Sequence, residues 1–396
     1  MRIRLAAVSL ALTAATAAAQ APSPPRARDL GIPFEFGTPG RYDAITDVPG
    51  VEVGHVTLIE GDRVRTGVTA VLPRGRGQGG LDQCFGGAFS LNGNGEMTGV
   101  AWLEESGLLE GPVLITNTNA VGVVRDAVID YARKHWPSAE GWADAFWSLP
   151  VVAETWDGHL NDIYGMHVRP EHAFQAIDGA RPGPVAEGNV GGGTGMICYE
   201  FKGGIGTSSR VLGGADGGFT LGVLVQANFG RRHQLLVAGV PVGRELRDDL
   251  VYGRDDSATS TSATMERGSI IIVVATDAPL LPHQLKRLAR RAALGLARTG
   301  SVAGNGSGDL FVAFSTANPR VGDAKGTVPL AMLPNERMGA LFEATVGATE
   351  EAILNALVAA RTMTGIDGHR VSALPHDRVR DILRRHLRLA SEAARD

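Results

Sequence analysis

One run of β-branched side chains constrains this chain more than any other stretch. Ile270-Ile271-Ile272-Val273-Val274 lies between Gly268-Ser269 and Ala275-Thr276-Asp277. Such a run, bounded by Gly and Asp, reads as one buried strand. Ser269 stands at its start. An arbitrary Gly-Ser pair entering a strand carries no chemistry. Upstream, however, Gly253 to Thr264 is small and polar with almost nothing to bury, a flexible surface segment suited to being cut or to threading past a site. A serine freed there as an N-terminus would carry an α-amine with a reference pKa of about 7.7–8.0. That amine can act as the general base for a hydroxyl otherwise weak at neutral pH.

The rest of the chain bounds the classes open to it. With 396 residues, 44% hydrophobic, and a formal charge of -4, it has the size for one large domain or two. The slight acidic excess gives no hint of nucleic acid. Glycine is the outlier at 53 residues, well above the usual share of about 7%. No Gly-X-Y period accompanies it, so the excess signals tight turns and close backbone approaches. Cys84 and Cys198 lack metal-ligand spacing and leave two buried thiols or one disulfide open.

Residues 1–19 read as a signal peptide. Arg2 and Arg4 precede an apolar core from Leu5 to Thr16, and Ala17-Ala18-Ala19 offers the small-x-small cleavage pattern. A proline-rich linker over residues 20–30 follows, and residues 31–396 form a single domain. The expected location is periplasmic or secreted, with no membrane partner, since no later apolar run reaches about 18 residues.

Along that domain, strands are expected at the approach to Leu58, at Thr66–Leu72, Cys84–Leu91, Pro112–Asn117, Phe219–Ala227, Leu235–Val240 and Leu310–Phe314. Helices are expected over Ala120–Lys134, Glu171–Ile177 and Leu280–Ala297. Ala331–Ala360 reads as two helical halves around Val346-Gly347-Ala348, with Thr349 as an N-cap. Regular strand–helix alternation is missing, which argues for a layered α/β architecture with mixed or antiparallel sheets. The glycines of residues 188–219 fit either backbone crowding beside a site or a plain loop.

Four further stretches carry chemistry. Asn228 ends a hydrophobic strand within Gln226-Ala227-Asn228-Phe229-Gly230. Residues from Glu154 to Gly165 are dense in polar and aromatic groups and include Tyr164. Ser307 and Asp309 stand two apart before a strand, a spacing that sends both to one face in extended geometry. Asn92-Gly93-Asn94-Gly95 is a turn-like fourth candidate. A Gly-x-Ser-x-Gly elbow is absent, and the scattered histidines argue against a metal.

These motifs together, with Ile45 to His55, resemble the L-aminopeptidase/D-esterase family, which includes the β-peptidyl aminopeptidases. The likeness spans about Gly31 to Leu387. It implies a four-layer αββα sandwich similar to N-terminal-nucleophile hydrolases, with different connectivity. It implies self-cleavage between Gly268 and Ser269 into α (20–268) and β (269–396) chains, associated as a homotetramer and needing no cofactor. By motif match Ser269 is the nucleophile, Ser307 and Asp309 its supporting pair, and Asn228 an oxyanion donor. Tyr164 is then a transition-state contact and Glu154 the group that recognises the substrate amine. Asp309 replaces a glutamate of the β-peptidyl branch, which leans toward an L-aminopeptidase/D-esterase acting on short peptides, amides or esters. A β-peptidyl aminopeptidase is the alternative. An acyltransferase, a penicillin-type amidase and a non-enzymatic binding protein stay in view. The apolar positions from Leu333 to Leu357 serve either as a subunit contact or as internal packing.

Overall fold

The computed structural model describes residues 24–76, 83–136, 147–252, 268–322 and 326–390. The proposed signal peptide and the polar stretch Gly253–Thr264 lie outside the described residues. In chain order the first half runs β1 (Glu52–Glu60), β2 (Val64–Leu72), β3 (Cys84–Gly93), α1 (Val100–Ser106), β4 (Leu108–Leu109), β5 (Val113–Asn117), α2 (Val121–His135), β6 (Val151–Thr155) and α3 (Pro170–Asp178). A short hairpin of β7 (Ile197–Cys198) and β8 (Phe201–Lys202) leads to β9 (Gly204–Val211), β10 (Thr220–Asn228) and α4 (Val242–Glu245). The second half holds β11 (Gly268–Thr276), α5 (Pro282–Arg298), β12 (Ser307–Ser315), α6 (Gly339–Ala359) and α7 (His376–Arg385).

Among the described residues the two large sheets run in the orders β1-β2-β5-β6 and β4-β3-β12-β11-β10-β9. Both are mixed: β5–β6 and β11–β12 are parallel, and their other neighbours antiparallel. Alternation along β11 shows how the layers stack. Ile271 and Val273 face an inner core with Val53, Val71, Ile115 and Leu224, whereas Ile270, Ile272 and Val274 face α5 and α6. The outer face of the smaller sheet packs Val68, Leu114 and Val152 against α2 and α3. The result is the expected αββα sandwich. Both cysteines are buried, and no disulfide joins them. No helix among the described residues is long and apolar enough to cross a membrane.

Sequence periodicity finds α2, α3 and α5 because each carries one apolar stripe. In α5, Pro282 pre-sets the first turn, Leu285, Leu288, Ala292 and Leu296 face inward, and the left-handed Gly300 follows its end. Two expectations fail. Residues 235–240 form a tight turn, with Ala238 and Gly239 left-handed and only a Val237–Val240 bridge. Residues 339–359 form one unbroken helix, and Thr349 is no cap: its hydroxyl donates to the Thr345 carbonyl at 2.7 Å. Gly347 sits mid-helix because Glu35 and Phe36 press on it, a Cβ there meeting the Glu35 carbonyl oxygen at 2.8 Å. Leu341, Leu354 and Leu357 pack inside their own subunit.

α6 is also held by charge. Arg210, fully buried on β9, meets Glu351 at 2.8 Å, and Arg28 meets the same carboxylate at 2.6 Å. Arg26 pairs with Asp43 at 3.1 Å and with Glu187 at 2.8 Å. Burial, then the neighbouring Glu351 carboxylate, pushes Asp43 up to about 8. Against its own burial, Glu351 is drawn below the usual carboxylate range by Arg210 and Arg28. A carboxyl raised on folding binds more protons when folded, so its contribution falls as pH rises from about 4 to about 8. Arg210→Met should therefore cost about 3–5 kcal/mol, and more at pH ~9 than at pH ~6, where Asp43 is still protonated. Urea denaturation at both pH values checks this; an equal loss would show that Asp43 holds no proton there.

Candidate active site

Strand pairing assembles this site from four distant parts of the chain. The antiparallel β10–β11 pair sets Asn228 opposite Ser269. The parallel β11–β12 pair sets Ser269 level with Gly308, Gly268 with Ser307 and Ile270 with Asp309. Opposed residues share a face, so the Asn228 amide and the Ser269 hydroxyl emerge side by side. The Gly308 N–H donates to Ser269 Oγ at 3.1 Å. Ser307 Oγ donates to Asp309 Oδ1 at 2.6 Å, the one-face pairing that the i, i+2 spacing demands. The register sets that pair level with Gly268 and Ile270, on either side of Ser269. All five groups are buried.

Two glycines make this closeness possible. Gly268 has φ 154°, and a Cβ there would collide with the Asn228 carbonyl oxygen. At Gly308 a Cβ would collide with the Asn94 carbonyl. The turn-like stretch Asn92–Gly95 thus belongs to the site. Asn92 donates to the Gly304 carbonyl at 2.6 Å and Asn94 to the Gly306 carbonyl at 2.9 Å, pinning the loop before Ser307.

Glu154 ends β6 close by. Its Oε1 accepts the Glu96 N–H at 3.0 Å, and its Oε2 accepts the Thr118 hydroxyl. Gly95 fills the gap between Glu154 and β12, since a Cβ on it would lie 3.3 Å from both Glu154 Oε1 and the Gly308 Cα. Burial raises the Glu154 pKa, opposed by the Thr118 and Glu96 hydrogen bonds. Tyr164 is different. It is 87% exposed on the turn Ile163–Gly165, where Asn119 donates to the Ile163 carbonyl at 3.3 Å.

Asn228 has a fixed orientation. Its Oδ1 accepts the Ile197 N–H at 2.8 Å, and its Nδ2 donates to the Trp156 carbonyl at 2.9 Å. One amide hydrogen is left over. The glycine run is crowded backbone: Cβ atoms on Gly192 and Gly193 would strike Gln226 and the Ile205 amide. Sequence reasoning missed the Gly308 N–H, Thr118 and Ile197; only Gly308, between two flagged residues, left a trace. Among the described residues no group of three His, Cys, Asp or Glu could hold a metal ion. A buried hydroxyl, two N–H donors beside it and a serine–carboxylate pair are the groups an acyl transfer requires.

The model of a family described as peptidase family S58 matches residues 43–371. The chain belongs to peptidase family S58. Within the S58 family, the β-peptidyl aminopeptidase BapA of Sphingosinicella microcystinivorans is 54% identical over 383 residues, covering 93% of this chain and 94% of that one. The structure of a Burkholderia sp. β-aminopeptidase matches with a TM-score of 0.81 at 49% identity, over 91% of this chain and 98% of that one. The L-aminopeptidase D-Ala-esterase/amidase of Ochrobactrum anthropi matches with a TM-score of 0.84 at 47% identity, over 92% and 100%. That enzyme is presented as a prototype for the serine aminopeptidases and a new variant of the Ntn-hydrolase fold. This S58 chain is accordingly a hydrolase, an aminopeptidase of the self-processing serine type.

Gly308→Ala tests the backbone donor. The added Cβ must push the Gly308 N–H away from Ser269, and loss of one such donor typically costs about 10²–10³ in turnover. Aminopeptidase activity should fall by about that factor while circular dichroism still reports a folded chain. Wild-type turnover would show that this N–H has no part in the reaction.

Proposed function

We propose that this chain is a β-peptidyl aminopeptidase with Ser269 as nucleophile, releasing N-terminal β-residues from short peptides and amides after cutting itself at Gly268–Ser269. The observation that carries the chemistry is the Ser269 hydroxyl held 3.1 Å from the Gly308 N–H and opposite Asn228. The leaning toward the β-peptidyl branch comes from the 54% identity to a β-peptidyl aminopeptidase. Asp309 had argued the other way. Its carboxylate nevertheless reaches the Ser307 hydroxyl at 2.6 Å, so the shorter acid makes the contact asked of a glutamate and discriminates little. An L-aminopeptidase/D-esterase is the second reading, favoured by the 47% identity to the Ochrobactrum anthropi enzyme.

In the precursor, the Ser269 hydroxyl attacks the Gly268 carbonyl carbon. The C–N bond breaks, the nitrogen takes the proton, and water then hydrolyses the resulting ester, leaving a Gly268 carboxylate and a free Ser269 amine. In turnover that neutral amine takes the hydroxyl proton as Ser269 attacks the substrate carbonyl and passes it to the leaving nitrogen as the scissile C–N bond breaks; water then hydrolyses the acyl ester and frees Ser269. Ser307 and Asp309 orient the amine, and Asn228 with the Gly308 N–H receives the developing oxyanion. By the family likeness, Tyr164 is a further contact to the transition state. Glu154 holds the substrate ammonium through a charge-assisted bond, which sets the register of the scissile carbonyl.

Ser269→Ala should remain one chain on a denaturing gel and lose activity, whereas wild-type protein yields a fragment whose Edman sequence begins at Ser269. A cut at residue 269 in the variant would sink the self-cleavage mechanism.

Substrate choice is read from p-nitroanilides and amides of L-, D- and β-homo residues with free or acetylated amines. Free β-homo amines should be turned over fastest, and acetylation should abolish turnover. Because burial raises the Glu154 pKa, KM should rise as pH falls through a range above that of ordinary carboxylates. Glu154→Gln should remove that dependence and raise KM at neutral pH. A preference for L-residues would move the chain to the second reading.

A further inference from the structure

We propose that Lys202 is a positioning residue for the Asn228 amide: its buried ammonium locks the 196–203 hairpin, whose Ile197 N–H turns that amide toward Ser269. This rests on the reading of Asn228 as an oxyanion donor.

The hairpin of β7 and β8 lies against the end of β10. Ile197 N–H reaches Asn228 Oδ1 at 2.8 Å, and Tyr199 N–H reaches the Phe229 carbonyl at 2.7 Å. Its turn is strained, with Tyr199 at φ 51° and Glu200 at φ 60°, left-handed values that side-chain-bearing residues seldom adopt in succession. Something must hold it closed: β7 and β8 pair over only Ile197–Lys202 and Cys198–Phe201, and the Gly203 N–H reaches the Met196 carbonyl at 2.9 Å. Lys202 adds the rest. Its Nζ donates to the Met196 carbonyl at 2.7 Å, the Gly203 carbonyl at 2.8 Å and the Gly193 carbonyl at 3.3 Å. An ammonium has three N–H donors and no acceptor, so these carbonyls satisfy it. They also tie both ends of the hairpin to the crowded glycine run.

Lys202 is fully buried, and burial lowers its pKa to about 7 while Cys198 and Asp157 pull it back up. A buried amine with three carbonyl partners has a use other than solubility. The use follows from the softness of the asparagine torsion, whose terminal rotation is broad and two-fold. With Ile197 N–H on Oδ1, the amide must present Nδ2 to the other side, where one hydrogen goes to Trp156 and the other remains for an oxyanion. If the hairpin slips, the amide can turn and offer its own oxygen to a developing negative charge.

A double-mutant cycle tests this. Processed wild type, Lys202→Met, Asn228→Ala and the double variant are compared for kcat and KM on the fastest p-nitroanilide, with hydrogen exchange followed over residues 194–203. Lys202→Met should lower kcat about 10–100-fold, a fraction of the loss typical of removing an oxyanion donor, with KM changed less than about 2-fold. It should add almost nothing in the Asn228→Ala background. Exchange over 194–203 should quicken while β11 and β12 stay protected. Lys202→Gln, which keeps two N–H donors, should fall between, and it carries the cycle should Lys202→Met fail to melt cooperatively. Variants that cut themselves slowly are read through their rate of self-cleavage, for which the same amide is the proposed oxyanion donor. Full additivity of Lys202→Met with an impaired Asn228→Ala would overturn the role of Lys202 and leave the oxyanion reading standing. Wild-type turnover in Asn228→Ala would overturn that reading itself.

Discussion

The parallel pairing of β11 with β12, Ser269 level with Gly308, is the constraint on which the site depends. Slipping a strand by one residue turns every side chain to the opposite face. In most sheets polarity forbids that, because one face is wet. β11 has no wet face: Ile270 to Val274 is buried on both sides, so apolar burial alone does not select one register. Shape selects it. Gly268 must meet the Asn228 carbonyl and Gly308 the Asn94 carbonyl, and no neighbouring residue of β11 could take the first place without a collision. Ser307 and Asp309 then bond to each other at 2.6 Å, and the strand shifts register against β3 just after them. The irregularity ends the regular pairing where the chemistry begins.

A second set of constraints holds the frame around that junction. The segment before β1 is drawn in by Arg26 and Arg28, which reach Glu187, Asp43 and Glu351 from outside the layers. Asn355 on α6 accepts the Ala27 N–H at 2.9 Å and donates to the Thr207 carbonyl at 2.9 Å. These groups are desolvated, so their attraction mostly offsets the cost of burying them. Apolar side chains, at about 1.5–3 kcal/mol for each large one buried, outweigh them as a source of stability. What the polar contacts add is direction. They specify where α6 lies along β9, and Gly206, whose Cβ would strike the Ala352 carbonyl, permits no other spacing.

Sequence by itself determined the elements whose signals are local. The β-branched run predicted β11, apolar stripes predicted α2, α3 and α5, and the i, i+2 spacing predicted the Ser307–Asp309 pair. The motifs also pointed to the family and the layered architecture. Where tertiary packing overrides the local signal, the reading went astray. Gly347 interrupts the local pattern of α6 and predicts two helices, yet that glycine answers to Glu35 and Phe36, far away in the chain. The apolar stretch 235–240 predicts a strand, though left-handed residues close it into a turn. The Gly308 donor, the Thr118 and Glu96 hold on Glu154, and the Ile197 hold on Asn228 were decided only by the tertiary structure. Backbone N–H groups have no sequence signature, since almost every residue carries one. Their use depends on which carbonyl, carboxylate or hydroxyl the packing of distant strands brings within about 3 Å.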